Sequence, residues 1–391
     1  LKQQLLLEVL DPCCVANPMG DLVKGKDGTF YPPFPVLGLA SDGEVFMTAG
    51  GGGASASKEV PNVVQAHRYD EATNTLSTVA SYNTVKSVVI HLSFSTATGL
   101  WLASALGGCK VLELLVDQNT LTEVCEFQTE RGGKEQTQNV ARFSPTGDMI
   151  ATGGTDKRLR LWRVSDPRAA PSLEMDCAEH DEVLDLDFSP DGTMVATCDR
   201  TMACRVWDCS SGKEKTTIKF EITSPKSQLA VRAVRFITSG GSLPALLLAG
   251  NGPRGPGCLG IYSVEGQALK IVTADPKPLT ALTVDLSQSF VGVNLVEGKK
   301  VFSLPHLKCV KKASNVHELP APCIAFVGEG TVVSGSGDRS LNLLRFKAGG
   351  GSFVSSCAYL FLILLLLIGI SFLVVRIGLK GAMLQQGRGE L

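Results

Sequence analysis

A segment that recurs constrains this chain more tightly than its composition does. The run VARFSPTGDMIAT at 140–152 returns as LDFSPDGTMVAT at 186–197, about 45 residues on, and each copy closes on a strand-like run with tryptophan near its end, LRLW at 159–162 and RVWD at 205–208. That period holds four short strands with their turns, a unit that buries its apolar faces only by stacking against further copies. Weaker copies begin near Leu37, Val88, Val231, Leu279 and Ala321. The count reaches seven, so the expected fold is all-β, one ring of seven blades over residues 29–347 and not several domains.

These repeats resemble the WD type. In a well-formed WD blade a turn Asp, a Ser or Thr four residues before it and a Trp six after it tie the strands together. Thr152, Asp156 and Trp162 have that spacing. In the next copy Thr197 and Trp207 keep their places with Thr201 at the Asp position, and in the last Ser334 and Asp338 fit while Leu344 replaces the Trp. His180, ahead of a first strand, is expected to complete a structural network of this kind and not to be catalytic.

The chain is 44% hydrophobic and 19% charged, enough for a large core. Its net charge of -1 leaves no basic excess for a phosphate backbone, so nucleic acid is not an expected partner. Of the twelve cysteines, Cys198, Cys204, Cys209, Cys258, Cys309 and Cys323 lie in or beside apolar strand runs without CxxC pairs, and read as buried reduced thiols. With no Asn-x-Ser/Thr sequon, the body is expected in the cytosol.

Beyond the ring, AGGGS at 348–352 reads as a joint within a linker over 348–357. No charge stands between Lys347 and Arg376, and the apolar run predicts a transmembrane helix over 358–378 with a short lumenal tail, 379–391. Residues 1–28 are expected to be an extension outside the fold, and no signal-like run is seen there.

The sequence argues against enzymatic chemistry. GNGPRG at 250–255 spells G-x-G-x-x-G, but Pro253 and Pro256 deny the helix that a dinucleotide fingerprint must open, so a hairpin loop is expected. No HExxH or GxSxG motif occurs, and five scattered histidines suggest no catalytic set.

Four consecutive glycines, Gly50, Gly51, Gly52 and Gly53, end a strand-like run over 44–49 and open onto the loop ASASKEVPN at 54–62, after which a second strand-like run covers 63–69. Glycine reaches backbone conformations closed to other residues, and such a run at a strand end serves a tight loop, an ion or a partner. This enlarged hairpin connection is the candidate functional site.

FYPPFPVL at 30–37, TAGGGG at 48–53 and VPN at 60–62, followed by a diverged propeller and a C-terminal span, resemble the prolactin regulatory element-binding protein family. The resemblance covers nearly the whole chain after residue 28. Members are endoplasmic-reticulum membrane exchange factors for the small GTPase that starts COPII coat assembly. The resemblance implies a propeller facing the cytosol, a GTPase-contacting loop of Lys58, Glu59, Val60, Pro61 and Asn62, and a potassium ion held by Gly50 to Gly53 with Asn62. It departs at Glu59, where a glycine commonly stands, and in loop length. Val60 is expected as an apolar anchor on the GTPase, with Asn62 and Lys58 on its polar groups. The rival expectation for the loop is that Val60 and Pro61 cover their own blade and Lys58 is a solvated charge; the rival function is a membrane-anchored scaffold without exchange activity.

Overall fold

The computed structural model describes residues 22–346, apart from 26–27, 58–59, 86, 130–135, 178–180, 224–225, 239–243 and 254. Among the described residues seven antiparallel blade sheets follow one another, with a two-stranded hairpin of Glu221–Thr223 and Lys226–Gln228 between the fourth and fifth, and in blades 1 to 6 four consecutive strands meander outward from the axis. The innermost strands are Val36–Ser41, Val89–Phe94, Gln138–Phe143, Val183–Phe188, Ala230–Ile237, Leu279–Val284 and Cys323–Val327. Each lies against the next, and the seventh lies against the first, so the ring closes.

Blade 7 is closed by the other end of the chain. Its strand Leu341–Arg345 pairs with Thr29–Tyr31, Thr29 opposite Asn342 and Phe30 opposite Leu341, and Val23–Lys24 adds a further short strand outside it. Phe30, 2% exposed, drops into the core between blades 7 and 1, and the Asn342 amide donates to Thr29 Oγ1 at 3.0 Å. The sheet therefore reaches back to Val23, ahead of the boundary drawn at residue 29. A closed ring leaves no long unpaired inner edge, which is the advantage of this architecture.

The core is divided among the gaps between blades. Seven apolar clusters fill the seven gaps, from Met47 with Trp101 between blades 1 and 2 to Val301 with Phe326 between blades 6 and 7. No α-helix occurs among the described residues, and no helix there is long and apolar enough to cross a membrane. The expected span over 358–378 lies outside the described residues.

The predicted blade ties form in blades 3 and 4. Trp162 Nε1 donates to Thr152 Oγ1 and Trp207 Nε1 to Thr197 Oγ1, both at 2.9 Å. Asp156 accepts from the Arg158 amide and pairs with Arg160 at 2.5 Å. His180 lies outside the described residues. GNGPRG is a hairpin connection, with Gly252 accepting from the Gly255 amide between strands Ala245–Asn251 and Gly257–Ser263. Cys198, Cys204, Cys258 and Cys323 are buried free thiols, Cys209 is half-buried, and Cys309 is exposed. The reading of Cys309 as buried is corrected, because it lies on an outermost strand, Lys308–Ser314, which faces solvent.

Candidate functional site

The blade 1 loop joins strand Val45–Gly50 to strand Val63–Asp70, with a single 3-10 turn at Gly53–Ser55 between them. Its base requires glycine for two different reasons. A Cβ on Gly50 would overlap the Pro35 carbonyl, and one on Gly51 would meet Asn62, so no side chain fits at either position. Gly53 has open space around it but sits at φ +62, in the left-handed region that favours glycine.

Asn62 closes the loop. It is 1% exposed; its Oδ1 accepts from the Gly53 amide at 2.8 Å, and its Nδ2 donates to the carbonyls of Gly53 at 2.9 Å and Val85 at 3.2 Å. One side chain thus bonds both backbone groups of Gly53 and ties the loop to the connection between blades 1 and 2. Further along, Ser57 and Val60 face each other, the Ser57 amide donating to the Val60 carbonyl at 3.1 Å and Ser57 Oγ accepting from the Val60 amide at 3.2 Å.

The expected contact residues divide. Asn62, placed at the partner surface from sequence, is spent inside the loop, since a buried amide is committed to the groups it bonds. Val60 is half-buried against the cluster that contains Phe30 and Phe34, and Pro61 is buried, so both cover their own blade as the rival expectation had it. Lys58 and Glu59 lie outside the described residues. What the loop exposes is Ala54, Ser55, Ala56 and Ser57.

Two of the four glycine carbonyls are already engaged within the loop. Gly53 O accepts from the Ala56 amide at 3.2 Å as well as from Asn62, which uses both lone pairs, and Gly52 O accepts from the Ser55 amide at 3.1 Å. Asn62 Oδ1 is likewise engaged. Among the described residues no group of three or more His, Cys, Asp or Glu side chains is placed to hold a metal ion.

Other polar clusters escaped the sequence reading. His67 stands on the third strand of blade 1 where Trp162 stands in blade 3, and its Nε2 bonds Thr48 Oγ1 at 2.8 Å. In blade 7, His317 Nε2 bonds Ser334 Oγ at 2.7 Å and its Nδ1 bonds Ser340 Oγ at 2.5 Å, with Asp338 beside it. The signal was present, since His317 precedes Ser334 by the interval that separates His180 from Thr197. The absent tryptophan of blade 7 is replaced from the neighbouring blade. Lys299, fully buried on blade 6, donates to Ser334 Oγ at 2.9 Å and to the Asn342 carbonyl at 2.5 Å. Burial holds its pKa well below the usual lysine range. These clusters are enclosed and hold blades together.

A ring of seven blades with Thr–Trp ties and a turn Asp defines a WD-repeat β-propeller protein. A model of the family described as "Anaphase-promoting complex subunit 4 WD40 domain" matches residues 141–239, the stretch from the inner strand of blade 3 to that of blade 5. The match covers the blades whose repeats are best preserved, about a quarter of the chain.

Proposed function

We propose that this WD-repeat protein is a guanine nucleotide exchange factor of the prolactin regulatory element-binding protein type. It acts at the endoplasmic-reticulum membrane on the small GTPase that initiates COPII coat assembly. The segment 358–378 would anchor it, with the propeller in the cytosol. An exchange factor needs no bond-making groups; it binds the nucleotide-free GTPase more tightly than the nucleotide-bound form, and the difference in binding free energy drives release.

The observation that carries this reading is the clamp of Asn62 on Gly53. It ties down the turn at Gly53 from which the exposed tip, Ala54 to Ser57, rises, which leaves less ordering to lose on binding. In this reading Asn62, Val60 and Pro61 are positioning residues, and the tip with Lys58 and Glu59 meets the GTPase. No step is routed through potassium.

The test is release of a fluorescent GDP analogue from the purified GTPase, with the full chain in detergent or vesicles. Acceleration that falls about tenfold in Asn62→Ala supports the proposal, and a wild-type chain that leaves the rate unchanged overturns it. The inward packing of Val60 and Pro61 favours a second reading, a membrane-tethered scaffold. That reading expects the GTPase to bind without faster release.

A further inference from the structure

The axis of the ring is a cavity of about 480 Å³ whose wall is formed by the inner strands. Six of those strands carry a β-bulge at the same point, just inside the end from which the glycine loop springs. The register slips between Val36 and Gly38, Val89 and His91, Gln138 and Val140, Val183 and Asp185, Val231 and Ala233, and Leu279 and Ala281. A bulge leaves one residue outside the ladder and re-aims its side chain. The six bulge residues, Leu37, Ile90, Asn139, Leu184, Arg232 and Thr280, all line the cavity, so they form a collar at its mouth.

Five of the six are accounted for within the fold. Asn139 donates to the Val183 carbonyl at 2.9 Å and Thr280 Oγ1 to the Ala321 carbonyl at 2.7 Å, each reaching the next blade. Leu37, Ile90 and Leu184 are half-buried apolar side chains. Arg232 is exposed, and among the described residues it has no hydrogen bond or ion pair.

Deeper in the channel, Arg142 and Arg235 share Asp185 at 3.5 and 2.5 Å, and Asp187 accepts from the Phe236 amide at 2.8 Å with Arg142 at 3.9 Å. Burial pushes the Asp185 carboxyl up, yet Arg235 and Arg142 outweigh it and hold it below the usual range. Asp185 is thus committed to Arg142 and Arg235, and among the described residues no carboxylate pairs with the exposed Arg232, which shares the collar with Leu37, Ile90 and Leu184.

We infer that this collar is a peptide-docking surface for a partner segment bearing a carboxylate next to an apolar side chain. The carboxylate would seat on Arg232, whose planar donors match it in a bidentate fashion, and the apolar group on Leu37, Ile90 and Leu184. Charge complementarity selects this occupant over a basic or purely apolar segment. The inference goes beyond the exchange reading and does not require it.

The experiment is selection of a random dodecapeptide display library on the full chain, followed by fluorescence anisotropy with the enriched peptides. The enriched sequences are expected to share Asp or Glu beside Leu, Ile or Phe. They should bind Arg232→Gln about tenfold more weakly, and Arg232→Glu more weakly still. Binding to Arg163→Gln, an exposed arginine on a third strand away from the collar, should be unchanged. Replacing the peptide acid by its amide should cost as much as Arg232→Gln, and the two changes together little more than either alone. Unaltered thermal unfolding of the Arg232 variants separates a lost contact from a lost fold. Enriched peptides without an acidic residue, equal affinity for Arg232→Gln, or no enrichment over an empty support would overturn the inference.

Discussion

The four glycines of the blade 1 loop are not interchangeable, because different physics holds each in place. At Gly50 a methyl group would collide with the Pro35 carbonyl, and backbone cannot yield to it cheaply. At Gly53 the space is open and only the positive φ of +62 is at issue. Gly53→Ala is therefore expected to cost about 1 kcal/mol and Gly53→Asn less, since asparagine tolerates the left-handed region, while Gly50→Ala should cost more than either. Urea denaturation of the three variants checks the order; equal losses would mean that sterics and conformation are not separable here. Asn62→Ala should lower stability by roughly 1–3 kcal/mol, the cost of leaving the buried groups of Gly53 without their partner. The glycine run could be read from sequence as a loop base, but the burial of Asn62 could not. The same side chain serves a partner surface or an internal clamp, and only the position of Gly53 decides between them.

At the scale of the blade, the sequence revealed most where the repeat was intact. Blades 3 and 4 keep Thr and Trp at fixed spacing, and those residues bond as the spacing requires. Elsewhere the tie survives with different chemistry. His67 takes the Trp position in blade 1, and Lys299 reaches Ser334 across the gap between blades 6 and 7. A substitute drawn from a neighbouring blade leaves no mark in a pattern read along one strand, and the closing strand Thr29–Tyr31, some 310 residues from its partner, leaves none either. Trp162→Phe keeps the ring but removes the donor to Thr152, so it should cost about 1–2 kcal/mol in chemical denaturation. Lys299→Ala should cost more, because it opens a cavity and strips Ser334 and the Asn342 carbonyl of a donor at once. A loss no greater than that of Trp162→Phe would show that Lys299 is not the tie of blade 7.

For the whole ring, acid is the condition that tests how the blades are held. Burial lowers the pKa of His67 and His91 to about 3 and that of His317 to about 4, from an ordinary 6.5. Between these values the unfolded chain binds protons at all three positions and the folded chain does not, so stability falls as pH drops below 6.5 and the loss stops only near pH 3 to 4. By pH 5 each histidine should have cost on the order of 2 kcal/mol, a large share of the total stability of a folded domain. The depressed carboxylates, such as Asp148 and Asp191, lose their contribution as the unfolded chain protonates around the ordinary 3.8, so the interval from pH 6.5 to 5 reports chiefly the histidines. Because His91 Nδ1 is buried and has no hydrogen-bond partner among the described residues, His91→Leu sacrifices no bond at that atom. That variant should hold its stability at pH 7 and lose about a third less of it on going to pH 5, as read from denaturant midpoints across the interval. An unchanged slope would mean that His91 is already open to protons in the folded ring.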